Sequence, residues 1–208
     1  MIKKNANNNV VFTGSTESVN FPVSAGAFQT VYPGIASAYI AKFNSNGVYQ
    51  WATFLGGNAL TGGTGISTDA SNNIVAVGST MATNFPITGG VFQPALAGSR
   101  DIYVSKFDPS GAILWSTYYG GTGLDLAMAV DVTPSGGVAV TGHVPSGFPI
   151  TAGAYQVVYG GGLLDAFLFM LDASGNQLWS TYIGASDKEE GYGVTSDGNF
   201  FIYSRRYL

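Results

Sequence analysis

Asp101-Ile-Tyr-Val-Ser-Lys-Phe-Asp-Pro-Ser-Gly-Ala-Ile-Leu-Trp-Ser-Thr-Tyr-Tyr-Gly-Gly121 reads as two short strands joined by a tight turn. Residues 101–107 alternate apolar with polar, and 112–119 do so less cleanly, which is the period of a pleated strand. Between them, Asp108-Pro-Ser-Gly111 carries turn chemistry. Asp can bond its own backbone, Pro presets φ, and Gly accepts φ > 0. Upstream, 73–79 is β-branched and bounded by Asn and Gly, and downstream 126–132 opens the next such group. Nothing sustains a helical period for ten residues.

The pattern then repeats. Trp51, Trp115 and Trp179 stand 64 residues apart, each four residues after Gly47, Gly111 and Gly175. Gly14, Gly78 and Gly142 keep the same spacing, as do Ser37, Asp101 and Asp165. Phe21-Pro22 returns as Phe85-Pro86 and, one residue early, as Phe148-Pro149. Phe28-Gln29, Phe92-Gln93 and Tyr155-Gln156 follow the same rule. A four-stranded antiparallel unit in tandem is the mark of a propeller blade. A solenoid is the alternative, but it uses fewer strands per turn and a shorter period. The reading is therefore one all-β domain over 1–208, a β-propeller arc of about three blades plus a partial fourth. Its units run over approximately 8–70, 71–133, 134–196 and, in part, 197–208. With strands lettered A to D from the inside, the chain is expected to start at strand B, Val10–Ser15, and to stop after strand B of the fourth unit. Such an arc leaves two open ends, each exposing an apolar blade face. It is either a piece of a longer protein or an arc that self-associates to close the propeller.

Composition narrows the partners. Hydrophobic residues make up 46% and charged residues 10%, too apolar and too weakly charged for disorder. The 8 Lys and Arg are scattered and net charge is −4, so nothing prepares a phosphate-binding patch, and nucleic acid is not expected as a partner. The absence of Cys excludes disulfides and thiolate chemistry. No apolar run approaches the roughly 20 residues of a membrane span. Met1-Ile-Lys-Lys-Asn-Ala-Asn-Asn-Asn9 has the lysines of a signal peptide without its apolar region, so any export signal would lie on a longer precursor.

Four stretches carry a family resemblance: Asn73-Ile-Val-Ala-Val-Gly78, Asn84-Phe-Pro-Ile-Thr-Gly-Gly-Val-Phe-Gln93, Asp101-Ile-Tyr-Val-Ser-Lys-Phe-Asp108 and Leu114-Trp-Ser-Thr-Tyr-Tyr-Gly-Gly121. Over residues 8–204 the chain resembles the bacterial seven-bladed β-propeller repeat family, written SBBP. The resemblance implies a secreted or surface-attached bacterial protein, hence an extracellular or cell-surface location, and no agreed catalytic residues.

The repeated positions read as scaffold. A site is used once, whereas Trp51, Trp115, Trp179, their glycines, and Phe21, Phe85 and Phe148 recur in every unit. Gly-x-x-x-Trp also resembles the blade-docking motif of quinone-dependent propeller enzymes, whose vicinal disulfide this chain cannot form. The turn aspartates Asp108 and Asp172 miss the spacing of the sialidase Asp box by one residue. Phe28, Phe92 and Tyr155 are expected to pin the B–C loop to its blade. Loop positions that differ between copies are the binding candidates: Tyr32 in 32–35, Arg100 in 97–100, and Tyr159 in 159–163. Asp125, Asp187, Glu189 and Glu190 lie in the D–A loops, where carboxylates could hold Ca²⁺. No Asp-x-Asp-x-Asp-Gly run supports that, so no metal or other cofactor is expected. His143 replaces Ser15 and Ser79 and reads as an ordinary strand-end residue. It has no second His or Cys with which to build a zinc site or a triad. The function expected is non-catalytic: a module for protein interaction, adhesion or scaffolding. A carbohydrate-binding propeller is the alternative, and a hydrolase or lyase would need an unrepeated polar cluster at the axis.

Overall fold

The computed structural model describes residues 1–196 and 200–204. Regular secondary structure there is all strand. In chain order the strands are β1 Ile2–Lys4, β2 Val10–Thr16, β3 Ser37–Phe43, β4 Tyr49–Leu55, β5 Thr61–Thr68, β6 Ile74–Thr80 and β7 Asp101–Phe107. There follow β8 Ile113–Tyr119, β9 Leu126–Val132, β10 Val138–Val144, β11 Asp165–Leu171, β12 Gln177–Ile183, β13 Gly191–Ser196 and β14 Phe200–Ser204. They form three antiparallel sheets, β1–β4, β5–β8 and β9–β12, and the pair β13–β14. Within each sheet the order follows the chain, so every sheet is a meander of the blade type. The rest of the expected fourth unit, 197–199 and 205–208, lies outside the described residues. Among the described residues no helix is long and apolar enough to cross a membrane.

One expectation needs correcting. The chain does not begin at strand B, because Ile2–Lys4 pairs with Val10–Phe12 and supplies a short strand A. Three residues are too few to show alternation, so the strand is invisible in the sequence. It is held from outside itself. The Met1 amino group donates to the Thr13 carbonyl at 2.9 Å, and Lys3 reaches Asp131, two sheets away, at 3.0 Å. The intervening asparagines form the turn. Asn5 Oδ1 accepts from the Asn7 and Asn9 amides at 3.0 Å each, and Asn8 takes φ +59°.

The expected turn chemistry recurs after every third strand. Oδ1 of Asn44, Asp108 and Asp172 accepts the backbone N–H groups two and four residues on, at 2.8–3.0 Å. Gly47, Gly111 and Gly175 follow at φ +76°, +93° and +87°, a conformation that costs glycine little. A register shift recurs at the end of each third strand, at Lys42/Phe43, Lys106/Phe107 and Met170/Leu171. The irregularity is thus part of the repeat.

Alternation decides how the sheets stack. The middle sheet is buried on both faces. Ile74, Ala76, Tyr103 and Phe107 join a core with Val11, Ala38, Ile40 and Leu55 of the first sheet. Their strand neighbours Val75, Val77, Ile102 and Val104 join a second core with Val130, Val140, Phe167 and Phe169 of the third. Such a strand reads as a nearly continuous apolar run because both sides of the pleat are dry. Tyr119 stacks on Phe169 across that second core, with ring centroids 3.8 Å apart and planes 9° apart. Contacts of this kind add about 0.5–1.5 kcal/mol each to area burial.

The first strands β1, β5, β9 and β13 stand side by side and meet at one carboxylate. Asp131 accepts from Lys3 Nζ at 3.0 Å, Ser67 Oγ at 2.7 Å and the Ser196 amide at 2.9 Å. Burial pushes its pKa up, but the Ser67 and Lys3 contacts and the Ser196 amide outweigh burial and hold it below the usual carboxylate range. Lys3, Ser67, Asp131 and Thr195 occupy one repeat position and are all different. At this position the copies have diverged so that Lys3 and Ser67 meet Asp131, while β13 contributes the backbone amide of Ser196, one residue on.

Candidate functional site

Antiparallel order puts the A–B and C–D turns at one end of the sheets and the long B–C and D–A loops at the other. The loop end is held rigidly by repeated residues. The side-chain carbonyls of Gln29, Gln93 and Gln156 accept from the amides of Gly56, Gly120 and Gly184 at 2.9–3.0 Å. The backbone amides of the same glutamines donate to Oγ1 of Thr53, Thr117 and Thr181 at 2.8–3.0 Å. Phe21, Phe85 and Phe148 lie on Tyr39, Tyr103 and Phe167 of the third strands, with centroids 4.4, 4.6 and 4.8 Å apart. In the last two sheets a tyrosine hydroxyl closes the knot, Tyr118 accepting from the Phe85 amide and Tyr182 from the Phe148 amide.

The Trp and Gly positions meet between sheets. A Cβ on Gly111 would come 3.2 Å from the Trp51 indole, and one on Gly175 would come 2.9 Å from the Trp115 indole. Each indole N–H also donates to a carbonyl of the next sheet's turn, Trp51 to Pro109 at 3.2 Å and Trp115 to Ala173 at 3.0 Å. A groove runs beside each indole. The first, about 380 Å³, is lined by Phe28, Trp51 and Ile113, and the third, about 310 Å³, by Tyr155, Leu178 and Trp179. Phe92 stacks on Tyr119 of its own sheet, as loop-pinning requires, whereas Phe28 packs edge-on against Phe107 of the next sheet and so bridges two sheets. Tyr155 does not follow them. It is 88% exposed, and the loop of this copy is held instead by Gln156 and Phe148.

The variable loop residues fall into two groups. Tyr32 and Tyr159 turn inward. Tyr32 packs edge-on against Phe54 and donates to the Ile35 carbonyl at 2.6 Å. Tyr159 packs against Tyr182 and donates to the Gly162 carbonyl at 3.2 Å. Both therefore brace their own loops. Arg100 lines a pocket with Ser15, Leu60 and Ser79 and points Nη2 at Met81 Sδ, 3.4 Å away.

Asp125 is buried although it lies in a D–A loop. It is 1% exposed and accepts the Gly121 amide at 2.6 Å. A Cβ on Gly120 would lie 2.5 Å from Asp125 Oδ2 and 2.8 Å from Asp101 Cγ, so two buried carboxyls face one glycine. Burial first, and the neighbouring Asp101 charge second, push Asp125 up to about 7 against the pull of the Gly121 amide. Asp101, which is also raised by burial, accepts from Gln93 Nε2 and from the amides of Ala97 and Gly98. The third sheet repeats the pair as Asp165 and Glu189. The first sheet has Ser37 and Thr61 there and no charge to bury.

A second polar group is not repeated at all. Glu190, on the link into β13, receives Lys188 Nζ on Oε1 at 3.0 Å and the Tyr192 hydroxyl on Oε2 at 2.6 Å. His143, at the end of β10, places Nδ1 3.5 Å from the same Oε1. Burial holds the imidazole below its ordinary pKa although Glu190 opposes this, so the ring is neutral at pH 7. Burial raises Glu190, but the Tyr192 and Lys188 contacts outweigh it and keep the carboxylate ionised. In the other copies these four positions hold Ser79 and Ser15, Leu124 and Leu60, Leu126 and Gly62, and Met128 and Thr64. His143 is thus part of a cluster rather than an ordinary strand end. Lys188 and Tyr192 carry no motif, and the signal that finds them is the loss of the repeat at all four positions together. The cluster holds a buried imidazole whose Nδ1 makes no hydrogen bond, and presents the half-exposed Lys188 ammonium to solvent. Among the described residues no three His, Asp or Glu side chains group to hold a metal. No protein-family model matches the chain, and no curated protein matches it.

Proposed function

We propose that the chain is an arc of a β-propeller of the bacterial SBBP type, acting outside the cytoplasm as a non-catalytic module for protein interaction, adhesion or scaffolding. One observation carries this reading. The recurring residues are spent on holding sheets and loops together, while an unrepeated group of His, Lys, Glu and Tyr gathers at the loop end. Kinship with secreted repeat proteins rests on the motif residues themselves. The test immobilises the chain and passes over it a panel of purified extracellular-matrix proteins and cell-surface glycoproteins. At least one should bind, and Lys188→Ala with Tyr192→Phe should weaken it about tenfold or more. A panel without a binder, or a binder indifferent to the double substitution, rejects the reading.

The carbohydrate reading is favoured by Tyr155. An exposed tyrosine beside Leu178 and Trp179 in a groove of about 310 Å³ offers an aromatic face for sugar stacking. Titration with a broad glycan panel should show binding that Tyr155→Ala abolishes. No response in the wild-type protein rejects this alternative.

A further inference from the structure

Arg100 is a cation without a counter-charge. Among the described residues its guanidinium enters no ion pair. Its Nη2 meets only the thioether of Met81, a weak acceptor, at 3.4 Å. The carboxyl of Asp101, the next residue, is turned into its own loop, where Gln93 Nε2 and the amides of Ala97 and Gly98 donate to it. The backbone at Arg100 is fixed by the D–A link of its own sheet, its carbonyl accepting the Asp125 amide at 2.8 Å. The side chain is thus rooted firmly while its head group stays unpaired.

The space it faces lies between the first and second sheets at their loop end, a cavity of about 190 Å³. Ala36 and Leu60 supply an apolar wall, and the Ser15 and Ser79 hydroxyls a polar one. Neither hydroxyl has a hydrogen-bond partner among the described residues. Gly62 keeps the space open, since a Cβ there would come 3.2 Å from Ser15 Oγ. The next joint shows what closes it. There Leu126 stands for Gly62, His143 for Ser79 and Leu164 for Arg100. Three changes together put bulk into the space and take the cation away. The first joint therefore departs from the repeat by gaining room, a second hydroxyl and a charge at one place.

We propose that this cavity binds a singly charged carboxylate group of a small ligand, its oxygens taken by the Arg100 fork and by the Ser15 and Ser79 hydroxyls. A guanidinium meets a planar carboxylate with two parallel N–H···O bonds, a match that a lysine cannot make. One cation balances one negative charge, so a doubly charged sulfate or phosphate would enter only half compensated. The site lies at a different joint from Lys188, Glu190 and Tyr192, and goes beyond the binding reading given for that group without depending on it.

Heteronuclear NMR titration of the isotope-labelled full chain tests the proposal. Glucuronate presents the carboxylate on a sugar ring and N-acetylalanine presents it on a peptide end, with glucose and N-acetylalanine amide as their neutral counterparts. At least one acid should shift the Arg100 Nε–H and the Gly62 and Ser79 amides with a Kd of about 10 mM or tighter, and its neutral counterpart should not. The tighter acid identifies the source of the group. Arg100→Leu installs the residue that the third sheet carries at Leu164, so it should keep its circular dichroism spectrum and lose binding. Arg100→Lys keeps the charge without the fork and should weaken binding about tenfold. Gly62→Leu, the residue of the next joint, fills the cavity with Arg100 intact and should weaken binding by at least as much. No shift with either acid up to about 100 mM overturns the proposal. So does unchanged affinity in Arg100→Leu or Gly62→Leu, or sulfate binding about tenfold tighter than both acids.

Discussion

Replacing Asp125 by asparagine is expected to stabilise the protein at pH 7 and to have little effect at pH 4. Asp125 is buried with Asp101 against Gly120, and its pKa rises from 3.8 to about 7. A carboxyl whose pKa is raised on folding keeps its proton in the native state after the unfolded chain has released it. Stability then falls as pH rises from the unfolded pKa to the folded one, and levels off above that. Each pH unit is worth 1.36 kcal/mol, so the roughly three units cap the loss at about 4 kcal/mol. Asp101 is pushed the same way, and the figure belongs to the pair. Asparagine presents its carbonyl to the Gly121 amide and has no charge to bury. His143, with a lowered pKa, contributes stability that is lost as pH falls below 6.5, but it does so in both proteins and cancels in the difference. Thermal unfolding of the two proteins at half-unit steps between pH 4 and pH 8 reads the effect. The gap in Tm should open from near zero and flatten above pH 7.5 at roughly 8–15 °C, taking roughly 2–4 °C per kcal/mol. A gap that does not change with pH would refute the buried dyad.

Trp115→Ala removes an indole packed on Gly175 and should cost about 3–5 kcal/mol in urea unfolding. Asp69→Asn should cost about 3 kcal/mol by the same measurement, because Lys106 Nζ, 3.0 Å from that carboxylate and almost wholly buried, is left without its counter-charge. Asp69 and Asp131 both have lowered pKa values, each set by donors that outweigh burial. Their contribution is complete above about pH 4 and is lost as pH falls through the folded pKa values, so circular dichroism should report acid unfolding below that pH.

The strands and C–D turns were legible because their determinants are local. Asp108 bonds amides two and four residues on, Gly111 needs only its own φ, and the β-branched run along Ile74–Thr80 needs only its own strand preference. The same locality misled at Tyr32 and Tyr159. They lie in stretches that differ between copies and so read as available, but both stand four residues after the aromatic of the Gln pair, and each ring folds back on its own loop. Tyr155 erred in the opposite direction. It keeps the repeat position of Phe28, whose ring partner Phe107 lies in the neighbouring sheet, and of Phe92, whose partner Tyr119 lies in its own, yet it stands exposed.

Taken alone, the 64-residue recurrence determined that antiparallel units of one kind follow one another in tandem, since identical residues at one spacing must meet identical surroundings. Only the tertiary structure decided which charges meet. Lys3 with Asp131, Asp101 with Asp125, and His143 with Glu190 come together because the sheets stack face to face and bring remote positions to one strand end. The short strand Ile2–Lys4 belongs with them. It is too brief to encode itself, and it exists because a neighbouring strand and a carboxylate more than 120 residues away hold it.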